Sequence, residues 1–218
     1  MGAGWSGRVG AGGGVIVVIV EQYLRYAGPM SKSPTAKPLT KDRLERSALR
    51  YLERFGATAQ SLRRVLMRKV VRAGAETGAD VAEGAHLVEV LISRYLECGL
   101  LDDRLFAEGR GRSLLRRGQP VRAIRQTLSR KGVADEDIDA ALETVTADLA
   151  DTDADWAAAV AYARRRRIGP FRPAEDRAAM REKDMARLGR AGFSWEMARR
   201  LVEADATALD FVRGLGYY

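Results

Sequence analysis

From Leu44 to Leu201 the apolar residues return every third or fourth position, and glycine or proline cuts each run short. That spacing is the signature of short amphipathic helices, because residues three and four apart share one helix face. Leu44, Ala48, Leu52 and Phe55 mark the inner face of a first predicted helix. Leu62, Val65, Leu66 and Val70 mark a second, and Leu87, Leu91 and Tyr95 a third that stops at Gly99. Leu105, Ala107, Leu114 and Leu115 lie in a fourth, opening at Asp102 and ending by Gly118. Val121, Ile124 and Leu128 mark a fifth, closed by Gly132. Ile138, Leu142, Val145 and Leu149 mark a sixth, whose acidic first turn (Asp135, Glu136, Asp137) suits the helix dipole. Trp156, Val160 and Ala163 begin a seventh, halted by Gly169-Pro170, and an eighth runs from Ala174 to Arg190 before Gly192. Ser194 is an apt N-cap for a ninth, with Met197, Leu201 and Val202 turned inward. No strand is predicted after residue 40, so the expected fold class is all-α.

Many short helices invite a search for repeats. Leu66-Met67-Arg68-Lys69-Val70-Val71 resembles Leu128-Ser129-Arg130-Lys131-Gly132-Val133, which in turn resembles Leu188-Gly189-Arg190-Ala191-Gly192-Phe193. The offsets are 62 and 60 residues, and each copy is expected at the end of the middle helix of a three-helix group. Residues 72–84 read as an insertion in the first group. The expected organisation is three tandem three-helix repeats, 41–99, 100–150 and 151–218, the last with a short tail.

Residues 1–14 hold seven glycines and precede the apolar run Val15 to Val20, while residues 31–40 are rich in Ser, Pro, Lys and Thr. Residues 1–40 are therefore expected to be a disordered or mis-assigned extension and arm, with Met30 as the natural start. A dinucleotide-binding loop requires strand, glycines, then helix. Here the glycines come before the apolar run, and the G-x-G-x-x-G spacing is missing.

Charge is unevenly distributed. The chain carries 37 Lys+Arg against 29 Asp+Glu, a formal net charge of +8 that favours polyanionic or acidic partners. Six of the cations are lysines; the rest are arginines, whose planar fork suits phosphate and carboxylate. A GC-rich genome accounts for that ratio, but not for the net charge. Between Arg104 and Ala134 lie nine basic residues and one acid, Glu108. Between Asp135 and Asp155 lie nine acids and no base, and then comes Arg164-Arg165-Arg166-Arg167. The structural explanation of this pattern is internal pairing of basic helices with the acidic one. The four-arginine run resists it, because it turns all the way round a helix. Candidate partner-binding residues are Arg63, Arg64, Arg68, Lys69, Arg110, Arg112, Arg116, Arg117, Arg122, Arg125, Arg130, Lys131, Arg164, Arg165, Arg166 and Arg167.

Catalytic chemistry is sparse. The one histidine, His86, reads as a surface or capping residue at the opening of a helix, with no acid–base partner at useful spacing. The one cysteine, Cys98, reads as a buried structural residue; it anchors no metal site and fits a reducing compartment. Asp102-Asp103 reads as a helix cap. No phosphate loop or nucleophile elbow is found. Neither catalysis nor a cofactor is expected. The apolar run Val15 to Val20 falls well short of the roughly 20 residues of a membrane span. The expected location is the cytoplasm.

The segment Tyr95-Leu96-Glu97-Cys98-Gly99-Leu100-Leu101-Asp102-Asp103-Arg104-Leu105-Phe106-Ala107 resembles the RecX family of bacterial recombination regulators. Gly118, Ile124 and Leu128 to Val133 extend the likeness, as do Arg164 to Phe171 and Arg190 to Ser194. It covers about residues 41–205. Departures are Val70 where the family usually has glycine, the 72–84 insertion and the N-terminal extension. The resemblance implies an elongated, curved array of three-helix repeats lying in the groove of the RecA–DNA filament. It implies modulation, mostly inhibition, of RecA's ATPase, strand-exchange and co-protease activities in recombination, DNA repair and the SOS response. The RecA filament is then the expected partner, direct contact with single- or double-stranded DNA is a further one, and a monomer is the expected state.

Two other classes fit the same features. A helix-turn-helix DNA-binding repressor shares three-helix units and basic charge, but concentrates contacts on one reading helix. A purely structural scaffold predicts no salt-dependent binding.

Overall fold

The computed structural model describes residues 40–147, 149 and 153–205. The extension and arm expected at residues 1–39 and the tail at 206–218 lie outside them. The described residues form nine α-helices and one 3-10 turn: α1 (Lys41–Arg54), α2 (Ala59–Thr77), α3 (Val81–Glu97), α4 (Asp103–Arg116), α5 (Val121–Arg130), α6 (Asp135–Ala147), α7 (Ala154–Arg166), the 3-10 turn Gly169–Phe171, α8 (Ala174–Ala191) and α9 (Trp195–Val202). No strand occurs among them. The chain divides into two compact units between Asp102 and Asp103.

In the first unit α1, α2 and α3 enclose one core. Leu44 and Ala48 from α1 meet Leu62, Leu66, Met67 and Val70 from α2, and Val88, Leu91, Ile92 and Tyr95 from α3. Side-chain oxygens start each helix: Thr40 accepts from the Arg43 N–H at 3.3 Å, Thr58 from the Ser61 N–H at 3.0 Å, and Asp80 from the Ala82 N–H at 2.7 Å. Each satisfies a donor that the helix cannot. Phe55, expected on the inner face, is 52% exposed just beyond α1, whose periodicity ends at Arg54.

The second unit gathers the six remaining helices round a single core. Ile124, Leu128, Ile138 and Ala141 share it with Ala158, Ala159, Ala163, Leu188 and Leu201. The core runs without a break from α4–α6 into α7–α9, because the small face of α7 (Ala157, Ala158, Ala159) lets neighbouring backbones come close. Burying a residue such as Leu128 or Ile138 stabilises by about 1.5–3 kcal/mol. Leu105, expected inside, is 65% exposed, and Phe106 packs against the core instead.

The repeated hexapeptide has a physical basis. In its second and third copies, Leu128 and Leu188 are fully buried, and the helix ends two to three residues later. The Val133 N–H reaches back to the Leu128 carbonyl at 3.3 Å, and the Phe193 N–H to that of Leu188 at 3.2 Å. Between them stand Gly132 and Gly192 at φ of +81° and +100°, the left-handed stop that favours glycine. The first copy has Val70 at this place, and it lies inside α2 rather than at its end. A β-branched residue is poorly suited to the left-handed conformation, so α2 runs on to Thr77 and stops at Gly78, φ +73°. The 72–84 insertion is thus extra helix on both sides of a turn.

Three further expectations need adjustment. His86 is exposed, in keeping with its surface reading, but it stands inside α3 rather than at its opening, since Asp80 starts that helix earlier. Cys98 is exposed at the α3 C-cap, because the helix ends before its side chain can turn inward. Helix α7 stops at Arg166, with Arg167 itself left-handed at φ +52°, ahead of Gly169-Pro170.

Candidate functional site: an arginine-lined cavity

The turn from α4 to α5 presses on α7. A Cβ placed on Gly118 would stand 2.5 Å from the Tyr162 nitrogen, and Gly118 has φ +79°. Only glycine meets both demands. The Gly118 N–H bonds the Leu115 carbonyl at 2.8 Å and the Gln119 N–H that of Leu114 at 3.0 Å, which sets the chain direction into Pro120. Pro120 offers no side-chain cap to α5; the first N–H of that helix, on Val121, donates to Asp155 of α7 at 2.6 Å.

Beside this turn lies a cavity of about 740 Å³, lined by Arg117, Tyr162, Arg165, Arg166, Arg187 and Arg190 together with Gly118, Gln119, Pro120, Ala123 and Ala191. Five cations face it, and no carboxylate is among its lining residues. Three of the arginines are held there by geometry of their own: Arg165, Arg166 and Arg187 each meet a neighbour. Arg165 donates to the Arg117 carbonyl at 3.5 Å, and the Arg166 guanidinium lies 5.5 Å from the Tyr162 ring centre. Arg187 approaches Asp184 at 3.6 Å. Asp184 is 1% exposed and already accepts from the Gly169 N–H at 3.0 Å and from Arg172 at 3.0 and 3.2 Å. That carboxylate ties the 3-10 turn to α8. Hydrogen bonding to it raises the Arg172 pKa further above its usual value. Like charges about 7 Å apart repel by about 0.6 kcal/mol in bulk water and by more at a protein surface. A cluster of this kind is therefore most stable with an anion among its members.

The sixteen basic candidates are not equivalent. Arg117, Arg165 and Arg166 come together in the cavity. Arg63 is held in a two-pronged bond to Glu89 at 2.7 and 2.8 Å and also donates to Gln60, so its fork is occupied within the first unit. Arg125 of the basic helix α5 pairs with Asp139 of the acidic α6. Arg112 reaches Glu108 at 4.0 Å. Arg164 stacks over Phe171 at 5.2 Å. Arg130 turns back on the Gln126 carbonyl at 3.2 Å. Arg64, Arg68 and Lys69 are exposed on α2 of the first unit, and Arg116, Arg122, Lys131 and Arg167 are exposed in the second. Arg110 is half-buried.

Arg187 and Arg190 escaped the sequence reading. Helix α8 mixes signs, with Glu175, Asp176, Glu182 and Asp184 among its cations, so no charge run points to it. The available signal was positional: two arginines three apart in the last turns before a glycine stop lie on one face.

Helices packed without strands among the described residues place the protein in the all-α class. The chain belongs to the RecX family. A model of the second three-helix domain of RecX matches residues 102–142, which span α4, α5 and most of α6. The regulatory protein RecX of Myxococcus xanthus (strain DK1622) is 36% identical over 163 residues, covering 74% of this chain and 85% of that protein. That of Halorhodospira halophila is 36% identical over 176 residues, covering 80% and 93%, and that of Agrobacterium fabrum 34% over 169 residues, covering 78% and 85%. No solved structure matches the chain significantly. Among the described residues no group of His, Cys, Asp and Glu is arranged to hold a metal ion, and no helix is long and apolar enough to cross a membrane.

Proposed function

We propose that the protein regulates homologous recombination and the SOS response by binding the RecA–DNA filament, lowering RecA's ATP hydrolysis, strand-exchange and co-protease activities. The observation that carries this reading is the cavity with five guanidinium groups and no lining carboxylate, in a chain of the RecX family. A RecA–DNA filament offers phosphate and acidic protein surface, both of which arginine forks recognise in two-pronged fashion. The basic residues are spread over both units rather than along one reading helix, which favours filament binding over a sequence-specific repressor. RecA's ATP hydrolysis on single-stranded DNA, followed while the protein is titrated in, is the test. Substoichiometric protein lowers the rate, since one molecule affects many filament subunits; a rate that stays flat up to equimolar protein overturns the reading.

A further inference from the structure

We infer that the protein self-associates head to tail, the acidic stripe of α6 in one copy seating its carboxylates among the arginines of the cavity beside Gly118 in the next. The inference goes beyond the regulatory reading above and rests on it for one consequence only: arginines engaged by a second copy are not open to a filament.

Two complementary surfaces stand on one chain, and neither is neutralised within it. The cavity is concave, about 740 Å³, with five guanidinium groups and no carboxylate among its lining residues. The close contacts of Gly118 with Tyr162 and of Gly192 with Pro120 set its three elements round one turn. The opposite charge lies on α6. Glu136, Asp139 and Glu143 are exposed and, at offsets of three and seven, share one stripe of that helix. Glu136 and Glu143 stand about 10 Å apart along it, two turns at about 1.5 Å per residue. Arg125 pairs with Asp139, while among the described residues no cation pairs with Glu136 or Glu143. Ala140 between them carries only a methyl group, so the stripe can approach a facing surface closely.

The chain's own α6 does not fill the cavity. That helix packs on α4 and α5, and none of its residues is among the cavity lining. A second copy supplies the missing carboxylates. Arginine forks take carboxylates in two-pronged fashion, and acids seated among five like charges relieve their mutual repulsion. The net charge of +8 opposes the approach of two copies at long range. That repulsion is screened beyond about 8 Å at physiological salt, whereas contact pairs in a concave site are screened much less.

The two surfaces are different patches, so the contact is heterologous. Each junction leaves a free cavity at one end and a free α6 at the other, where further copies add. One helix stripe against one cavity is smaller than the roughly 1,200–2,000 Å² of stable complexes, so association is weak and reversible. The monomer implied by the family likeness is then the dilute limit.

The test is sedimentation velocity of the full chain, freed of nucleic acid, from about 1 μM to about 1 mM. The average mass is expected to rise with concentration and to fall back in about 1 M salt, where the Debye length is about 3 Å. Arg165→Glu/Arg190→Glu and Glu136→Lys/Glu143→Lys are each expected to raise the association midpoint by about tenfold or more, because charge reversal replaces attraction with like-charge repulsion. Mixed in equal amounts, these two variants are expected to form dimers and nothing larger, since only the cavity of the second and the α6 of the first remain intact. Arg46→Glu/Arg50→Glu changes net charge as the cavity variant does, on α1, where both side chains bond backbone carbonyls of their own helix. It is expected to associate like wild type. Circular dichroism melts verify that each variant folds.

A protein that stays monomeric at every concentration overturns the inference. So does association that survives in either variant, or a mixture that stays monomeric. Association that appears only when an oligonucleotide is added assigns the bridge to nucleic acid and also overturns it. RecA ATPase separates this from the regulatory reading. The Glu136→Lys/Glu143→Lys variant, with its cavity open, is expected to inhibit as wild type does. Loss of inhibition in that variant alone puts α6 on the filament and overturns the inference. Absence of inhibition by wild type sinks the regulatory reading and leaves the sedimentation result untouched.

Discussion

Asp155 in the first turn of α7 accepts the N–H of Val121, the first residue of α5, at 2.6 Å across 34 positions of sequence. Helix α5 thus takes its cap from another helix, because Pro120 at its own N-cap has no side chain able to accept. The same bond holds the α4–α5 turn beside α7, where the arginine cavity opens. Asp155→Ala should destabilise the protein by about 1 kcal/mol, the usual worth of a lost cap. Asp155→Asn keeps an acceptor and should cost less. Urea unfolding of the two variants compares them; an alanine variant as stable as wild type would remove the cap from the account of this turn.

Gly118 and Gly78 share a left-handed backbone but differ in surroundings. At Gly78 an added Cβ meets nothing within 4 Å, so Gly78→Ala should cost only the conformational penalty of about 1–2 kcal/mol. At Gly118 the Cβ would meet Tyr162 at 2.5 Å, and overpacking adds about 1–3 kcal/mol to the same penalty. Thermal melts of both variants measure the difference. Equal shifts would mean that the turn can retreat from α7.

Leu128 is fully buried in the core of the second unit, and Leu128→Ala should cost about 2–5 kcal/mol. Arg116 and Arg117 are exposed at the end of α4, and replacing both with Ala should change stability by about 0.5 kcal/mol each or less. The same double change should still weaken filament binding, because Arg117 lines the cavity. Arg125 pairs across to α6 through Asp139. A double variant that unfolds early yet binds normally would reveal an internal role for these two arginines.

Asp184 is the buried carboxylate on which Arg172, Arg187 and the Gly169 N–H converge. Asp184→Ala leaves the buried Gly169 N–H without its acceptor and should destabilise by about 1–3 kcal/mol. Denaturant midpoints check this, and a loss below about 1 kcal/mol would place the 3-10 turn under the control of core packing alone.

Tyr95 is 2% exposed, and its buried hydroxyl makes no well-formed hydrogen bond among the described residues; Arg94 beside it turns its guanidinium to Glu45. Burial raises the phenol pKa, since the charged phenolate is disfavoured in the core. A raised folded-state pKa means that the folded protein holds this proton more tightly than the unfolded chain. Stability is therefore complete below the ordinary tyrosine range and falls as pH rises through and above it. Tyr95→Phe should be neutral or stabilising at pH 7 and should lose less stability between pH 9 and 11 than wild type, read by chemical unfolding at each pH. A phenylalanine variant clearly weaker at pH 7 would show that the hydroxyl has a partner.

The helical fold was legible in sequence because its signals are local. The three- and four-residue spacing of Leu62, Leu66 and Val70, or of Ile124 and Leu128, reports which face is apolar, and all five are buried. Ser194 and the left-handed glycines announced starts and stops through backbone chemistry that involves only near neighbours. Even the departure at Val70 was visible, although only the structure showed that α2 continues to Gly78. What local pattern cannot state is which surfaces meet. Phe55 and Leu105 fit the periodicity and yet stay exposed. The charge runs marked Arg117, Arg165 and Arg166 one by one, but Arg187 and Arg190 sit in a helix of mixed sign and carry no such mark. They became part of a site when the close contact of Gly118 with Tyr162 and of Gly192 with Pro120 drew three elements to one turn. Sequence determined the helices, their caps and the excess of cations. Tertiary packing decided which cations share a cavity, because electrostatic recognition depends on distances in space between residues that lie as far as 73 positions apart in the chain, from Arg117 to Arg190.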